Sequence, residues 1–143
     1  GLSKLFFLGS GPQFGIASEG MLKMKEMSLT GSEAYHFLEF RHGPKSMVDE
    51  QALVIGLVGA QATEAEEAVL AEMRGLGGRV VTIAPRSGDA DAWTISLPAR
   101  LPDWAMPVLY LPALQLLAYE RAMVKGLDPD APRNLDPVVF LDL

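Results

Sequence analysis

Residues 9–15 read Gly9-Ser10-Gly11-Pro12-Gln13-Phe14-Gly15, a glycine-rich turn that follows a short apolar run at residues 4–8. Apolar runs of this length are typical of strands that are buried on both faces in α/β proteins. The residues after the turn predict a helix over about residues 14–29, with Gly31 as its stop. This strand–turn–helix unit opens the stretch, residues 9–45, around which the rest of the chain is arranged.

The segments after residue 47 alternate between strand-like and helical patterns. Four further strands are predicted, at residues 52–58, 79–84, 93–97 and 138–141. Residues 32–47 have turn chemistry and no clean period, which predicts irregular structure with one short helix. The alternation favours an α/β fold with a five-stranded parallel, flavodoxin-like sheet in the order 2-1-3-4-5 and helices on both faces.

Two more helices complete this prediction. Residues 63–76 are amphipathic, and Thr63 with Glu66 forms a capping-box pattern at the start. Residues 104–125 are apolar, with Pro107 suited to the first turn and Pro112 expected to kink the helix or to mark where its regular part begins. In the predicted fold, the Gly9 turn, the start of the first helix and the loop after residue 58 meet at the carboxyl ends of the strands.

Composition narrows the class of protein. The chain has 143 residues, which fits one domain over residues 1–143, and 49% of them are hydrophobic, so disorder is not expected. A formal charge of −6 argues against binding nucleic acid, and the chain has neither cysteines nor a long apolar run that would suit a membrane. These features predict a cytoplasmic protein without a membrane partner. The chain begins with Gly1 instead of Met, as an excised piece would.

The glycine turn has two interpretations. Backbone amides at a helix N-terminus bind anions, and Ser10 adds a hydroxyl that can bond a ligand. A dinucleotide fingerprint is disfavoured because the third glycine comes one residue late and no clear acidic residue ends the second strand. The alternative is simply a tight strand-to-helix turn.

Glu19, Lys23 and Glu26 form a polar stripe on the first helix, at positions i, i+4 and i+7. One interpretation is a solvated helix face with an internal ion pair. The other is a carboxylate base beside an ammonium group that keeps it ionised, as removal of a proton α to a carbonyl requires.

His42 lies in a glycine–proline turn between Arg41 and Lys45. A lone histidine is more often structural than catalytic, but a neutral imidazole in such a turn can move a proton between sugar oxygens. Zinc binding by His36 and His42 is disfavoured, because the two histidines lack a recognised ligand spacing.

Several motifs resemble the sugar-isomerase (SIS) domain family, and within it the second SIS domain of glucosamine-6-phosphate synthase and of related phosphosugar isomerases and deaminases. The similarity covers nearly the whole chain, and the motifs that carry it are Glu19-Gly20-Met21-Leu22-Lys23-Met24-Lys25-Glu26-Met27-Ser28, Glu33-Ala34-Tyr35, Glu39-Phe40-Arg41-His42-Gly43-Pro44, Leu114-Gln115-Leu116-Leu117-Ala118-Tyr119, Lys125-Gly126 and Pro132-Arg133-Asn134-Leu135.

The resemblance implies a three-layer αβα sandwich, a homodimer, and sugar phosphate chemistry without metal or cofactor. The glutamate that matches Glu26 shuttles a proton between C1 and C2, with the residues matching Glu19 and Lys23 beside it. The histidine that matches His42 assists ring opening in the site of a neighbouring subunit. The residues expected to contact the sugar phosphate are Ser10, Gln13, Arg41 and Asn134.

Two departures from the family pattern bear on activity. The family's phosphate-binding Ser-x-Ser-Gly-x-Thr loop is replaced at residues 58–63, where only Thr63 has a hydroxyl and Gln61 adds an amide. Pro137 stands near the family's Schiff-base lysine, and proline cannot form an imine. The chain also contains no glutaminase domain.

We therefore expect this chain to be the C-terminal half of a two-SIS isomerase that acts on a hexose 6-phosphate or an amino-sugar phosphate. We expect it to be incomplete on its own. The alternative is a non-catalytic module that binds a sugar phosphate, regulates or dimerises.

Overall fold

A computed structural model describes residues 1–60, 63–85, 93–98, 101–102 and 104–135. Five strands are present in this part of the chain, β1 (Lys4–Gly9), β2 (Ser32–Tyr35), β3 (Ala52–Leu57), β4 (Arg79–Pro85) and β5 (Thr94–Leu97). The helices are α1 (Pro12–Ser28), α2 (Phe37–His42), α3 (Thr63–Gly75) and α4 (Pro107–Val124), with a 3₁₀ turn at Pro44–Met47.

The five strands form one parallel sheet in the order β2-β1-β3-β4-β5. The expected α/β fold with a five-stranded parallel sheet is therefore confirmed. The order 2-1-3-4-5 holds only with residues 32–35 as the second strand; the prediction placed residues 52–58 there, and it is corrected because residues 52–57 pair with both β1 and β4. The chain reverses its direction of winding between β1 and β3, so the carboxyl ends of these two strands form the switch point at which open α/β sheets bind ligands.

One strand of this sheet differs from the prediction. Residues 32–35 were expected to be irregular but form β2, which pairs with β1 and places Ser32 beside Leu5 and Ala34 beside Phe7. A four-residue edge strand of sequence Ser-Glu-Ala-Tyr lacks the apolar run that identifies a central strand, because only Ser32 of it is buried. The predicted strand at residues 138–141 lies outside the described residues.

Two apolar layers flank the sheet, which gives the expected three-layer arrangement. Alternate residues of the central strands face opposite sides, so Leu5 and Phe7 pack with α1 and α4, whereas Phe6 and Leu8 pack with α2 and α3. Gly20 allows α1 to approach its neighbours closely, since a Cβ there would lie 2.8 Å from Leu114 Cδ1 of α4. The sheet therefore separates the helix α1 from the helix α2.

The ends of the long helices follow from local chemistry. Helix α1 begins at Pro12, whose missing N–H costs nothing in a first turn, and ends at Ser28. The next residue, Leu29, adopts a left-handed φ of 48°, so the helix stops there and not at the predicted Gly31. Helix α4 begins at Pro107 and contains Pro112. Pro112 therefore does not mark the start of the regular helix, which was one of the two roles predicted for it. None of the helices in the described ranges has the length and apolar character needed to cross a membrane.

Candidate functional site

One candidate site is a cavity of about 190 Å³ at the carboxyl ends of the strands, here called the strand-end cavity. Its walls come from the β1–α1 turn, the segment after β3, the end of β4 and the start of α4. The lining residues are Ser10, Gly11, Pro12, Gln13, Gly59, Ala60, Glu66, Pro85, Met106 and Tyr110. The expected meeting of the Gly9 turn, the first helix and the loop after residue 58 is confirmed.

The β1–α1 turn places Ser10 and Gln13 in the cavity wall. Gly9 has no room for a side chain, because a Cβ there would overlap the backbone carbonyl of Gln13, and Gly11 has a φ of +54°. The Gln13 N–H donates to Ser10 O at 3.1 Å and the Phe14 N–H donates to Gly11 O at 3.1 Å. The turn is thus the tight strand-to-helix connection that was one of its two interpretations, and these two amides are already engaged.

Tyr110 closes the cavity on the side of α4. Its side chain is fully buried, and its hydroxyl donates a hydrogen bond to Val58 O at 2.7 Å. Burial raises the pKa of Tyr110 to about 12, while a hydrogen bond with the Gln13 side chain acts in the opposite direction. The phenol is therefore neutral at pH 7 and holds α4 against the end of β3. The sequence offered only a weak signal for it, a tyrosine within an apolar helix.

Glu66 also lines this cavity. The sequence pattern predicted only a capping box for it and not a ligand site. Its side chain is buried, at 3% exposure, and Glu66 Oε2 accepts a hydrogen bond from the Gly59 N–H at 2.7 Å. The Thr63 hydroxyl donates to Gly59 O at 2.8 Å. The expected capping box is therefore corrected: Thr63 is the first residue of α3, and both side chains bind Gly59 because the chain turns back over the helix start.

The polar stripe of α1 is present as a connected ion-pair group. Lys23 Nζ lies 2.8 Å from Glu26 Oε2 and 3.7 Å from Glu19 Oε1. The hydrogen bond to Glu26 raises the pKa of Lys23, so the ammonium form is retained at neutral pH. The three side chains are only about a third exposed, between 31% and 39%, so this group is less solvated than a free helix face.

Glu26 lines a second depression, of about 160 Å³, here called the Glu26 cleft. Its other walls are Met27 and Leu29 at the end of α1 and the loop after α4, which contributes Asp128 and Arg133 among others. Lys125, at the end of α4, donates to Ser28 O at 2.6 Å and to Leu29 O at 2.9 Å. These bonds satisfy carbonyls that the end of α1 would otherwise leave open, and they hold the loop beside Glu26.

The strand-end cavity and the Glu26 cleft lie at opposite ends of α1. A helix rises about 1.5 Å per residue, so Glu26 is roughly 20 Å along the axis from Pro12. The structure therefore does not bring Glu26 together with Ser10 and Gln13 within one chain.

His42 is exposed at the end of α2, on the face of the sheet opposite to α1. Its flanking cations are both paired with Glu72 of α3, since Arg41 Nε lies 2.7 Å from Glu72 Oε2 and Lys45 Nζ lies 2.6 Å from Glu72 Oε1. The hydrogen bond from Lys45 and that from Arg41 lower the pKa of Glu72. The turn that carries His42 is thereby fastened to α3, and Arg41 is already engaged.

The remaining predicted positions are placed as follows. Asn134 is exposed and adopts a left-handed φ of 61°, directly after Arg133 of the Glu26 cleft. His36 stacks on Phe14 with ring centroids 4.0 Å apart. Within the described ranges no three His, Asp or Glu side chains are grouped as a metal site would need. Gln61, the loop at residues 86–92 and Pro137 lie outside the described residues.

Comparison with known sequences identifies a family. The family model for the SIS domain matches residues 3–92. Glutamine–fructose-6-phosphate aminotransferase (isomerizing) of Pseudomonas aeruginosa is 39% identical over 141 residues, which are 95% of this chain and 23% of that protein. The same enzyme of Sulfurisphaera tokodaii is 36% identical over 142 residues, 98% of this chain and 23% of that protein. The chain thus spans about a quarter of the length of these curated relatives.

Solved structures give the same picture. Glucosamine-6-phosphate deaminase from Thermotoga maritima matches 98% of this chain and 41% of its own, with a TM-score of 0.81 and 35% identity. Tagatose-6-phosphate ketose/aldose isomerase from Escherichia coli matches 90% of this chain and 38% of its own, with a TM-score of 0.80 and 31% identity. Each of these proteins is more than twice as long as the region that this chain matches.

Proposed function

This chain belongs to the SIS domain family, and from that premise we propose that it is one half of a two-SIS phosphosugar isomerase. The proposed reaction interconverts an aldose and a ketose of a hexose 6-phosphate or an amino-sugar 6-phosphate. It proceeds through an enediol, so it needs a base that removes a proton next to a carbonyl and an acid–base group at the sugar oxygens. The expected cytoplasmic location is part of the same proposal.

The observation that carries the proposal is the pairing of Glu26 with Lys23 at the edge of a cleft. Glu26 Oε2 lies 2.8 Å from the Lys23 ammonium group, and a positioned carboxylate is one of the side chains that can act as a general base. Glu26 is proposed to take the proton from C2 and return it to C1. Lys23 is proposed to stabilise the Glu26 carboxylate, and Glu19, at 3.7 Å from Lys23, to help hold the ammonium group in position.

His42 is proposed to act on the sugar oxygens in a site other than that of its own chain. It is exposed and separated from Glu26 by the sheet, so its imidazole can serve only a cleft on a neighbouring subunit or domain. Glu72 supports this role, because its two ion pairs hold the turn on which His42 projects. The proposed enzyme is therefore a homodimer, as the family resemblance implies.

An apolar stripe on α4 supports association with another domain or subunit. Val108, Leu116, Tyr119 and Met123 are exposed and fall within about 80° of arc at 100° per residue, on the side of the helix away from the core. Exposed apolar side chains that line up in this way mark interaction surfaces. The proposed occupant is a second copy of the chain, and the sister SIS domain expected from the longer relatives is proposed to pack elsewhere on the protein.

The sugar phosphate is proposed to be held mainly by that sister domain. Residues 58–60 contribute no side-chain hydroxyl to the strand-end cavity. Ser10 and Gln13 are proposed contacts for sugar hydroxyl groups at this cavity, and Asn134 is a proposed contact from the end of the Glu26 cleft. Arg41 can contact a phosphate only by leaving Glu72. The proposal stops at isomerisation, because Pro137 has no amino group for the imine that amination would use.

A second candidate function is a non-catalytic SIS module that regulates or dimerises. The small strand-end cavity with its buried Glu66 favours this alternative for the chain on its own. One experiment separates the two candidates. The full-length protein is incubated in D₂O with fructose 6-phosphate or glucosamine 6-phosphate, and exchange of the C2 or C1 proton is followed by NMR. Enzyme-dependent exchange supports the isomerase, whereas a rate equal to that without protein refutes it.

A further inference from the structure

The strand-end cavity contains a buried negative charge at the place where related folds bind anions. Parallel α/β folds hold phosphates at their switch points with free backbone amides at helix starts. Here Glu66 lies in the first turn of α3, buried at 3% exposure and lining the cavity. Acidic side chains are favoured in the first turn of a helix, where they interact with the helix dipole.

Three amides at or beside the cavity are already bonded. The Gly59 N–H donates to Glu66 Oε2 at 2.7 Å. Across the cavity, the N–H groups of Gln13 and Phe14 donate to Ser10 O and Gly11 O, and Pro12 has no N–H to offer. An anion entering the cavity would thus meet one bonded amide beside a carboxylate, and a turn in which the Gln13 and Phe14 amides are engaged.

We infer that Glu66 determines the charge selectivity of the strand-end cavity: its carboxylate occupies the position of a bound phosphate oxygen at the Gly59 N–H and excludes phosphate groups. Like charges at close range in a desolvated site repel, and the carboxylate cannot leave without breaking its bond to Gly59. The groups left to meet a ligand are the Ser10 hydroxyl, the Gln13 amide and Glu66 itself. These suit hydroxyl or amino groups, so the cavity admits neutral or cationic ligands. The inference rests on the cavity and stands whether or not Glu26 is a base.

Two substitutions separate the effect of the Glu66 charge from the effect of its hydrogen bond to Gly59. One control substitution accounts for the change in net charge. Glu66→Gln removes the charge but can still accept the Gly59 N–H. Glu66→Ser removes the charge and also vacates the space and the amide. Glu64→Gln makes the same change of charge on an exposed residue in the same helical turn. The probe is inorganic phosphate, with binding followed by calorimetry and by the amide resonance of Gly59 in ¹⁵N–¹H spectra.

We expect Glu66→Ser to bind phosphate at least tenfold more tightly than both the unchanged protein and Glu64→Gln, with a shift of the Gly59 resonance on titration. Glu66→Gln should bind with an intermediate affinity. If only one of the two Glu66 variants folds, its phosphate affinity is compared with that of Glu64→Gln, and this comparison tests the inference. The inference is overturned if phosphate shifts the Gly59 resonance of the unchanged protein, or if no folded Glu66 variant binds phosphate more tightly than Glu64→Gln.

Discussion

Glu26 of α1 and Arg133 of the loop after α4 line the same cleft, although they belong to opposite ends of the described chain. Their meeting depends on the docking of the end of α1 onto the end of α4, where Lys125 binds the carbonyls of Ser28 and Leu29. A carboxylate and a guanidinium thus line one depression of the surface, and the Lys23 ammonium lies 2.8 Å from that carboxylate. This convergence distinguishes Glu26 from a carboxylate on an ordinary solvated helix face.

Replacing Glu26 by Gln in the full-length protein should abolish most of the proposed proton transfer. The amide keeps the shape and hydrogen bonding of the side chain but cannot take a proton, and a positioned base is typically worth roughly 10²–10⁴-fold in rate. We expect kcat to fall by that factor, about 3–5 kcal/mol of barrier, with little change in KM. Proton exchange at C2 in D₂O measures the effect. Glu19→Gln is the matched control and should lose less; an unchanged exchange rate in Glu26→Gln would show that Glu26 is not the base.

The α4 stripe should mediate self-association. We expect sedimentation at micromolar concentration to give twice the mass of the 15.4 kDa chain. Leu116→Glu places a charge in the centre of the stripe and should shift the protein to monomer, because burying an unpaired charge is costly. Val124→Glu makes the same change on an exposed side chain well off the stripe and should leave the dimer intact. A monomer in the unchanged protein, or equal loss of the dimer in both variants, would contradict this role of the stripe.

Glu72 should make stability depend on acid pH. Its pKa is lowered in the folded protein by the hydrogen bonds from Lys45 and Arg41, so its contribution is present above the ordinary value of 4.5 and is lost as the pH falls through the folded value. The unchanged protein should therefore be more stable than Glu72→Gln at pH 7, and the difference should shrink below about pH 5. Urea unfolding across this range measures it. A Glu72→Gln difference that stays constant down to pH 2 would exclude this linkage.

Two glycines near the strand-end cavity should respond in opposite ways to alanine. Gly9→Ala puts a Cβ against the backbone of Gln13, so the turn must move, and we expect a loss of about 1–3 kcal/mol in the free energy of unfolding. Gly15→Ala adds a Cβ to an open position inside α1 and should stabilise the protein by about 0.5–1 kcal/mol. Chemical denaturation compares them, and equal effects of the two substitutions would show that the Gly9 turn tolerates a side chain.

Much of the architecture was readable from local patterns. The apolar runs that became β1, β3 and β4 are buried on both faces, so nearly every residue in them carries the same signal. The turn at Gly9 and the start of α1 at Pro12 follow from backbone requirements of glycine and proline that act within a few residues. The polar stripe of α1 follows from helical spacing, and its ion pairs needed no partner from elsewhere in the chain.

Other features were decided only by the tertiary structure. The sequence of β2 has little strand propensity, and this strand forms because it pairs with the edge of β1. The engagement of Arg41 by Glu72, the bond from Glu66 to Gly59 and the cleft shared by Glu26 and Arg133 all depend on how elements pack. The separation of Glu26 from the strand-end cavity has the same origin. By itself the sequence determined which groups are available for chemistry, because local patterns show composition and spacing; only packing of distant segments decided which of those groups are already bonded and which remain open to a ligand.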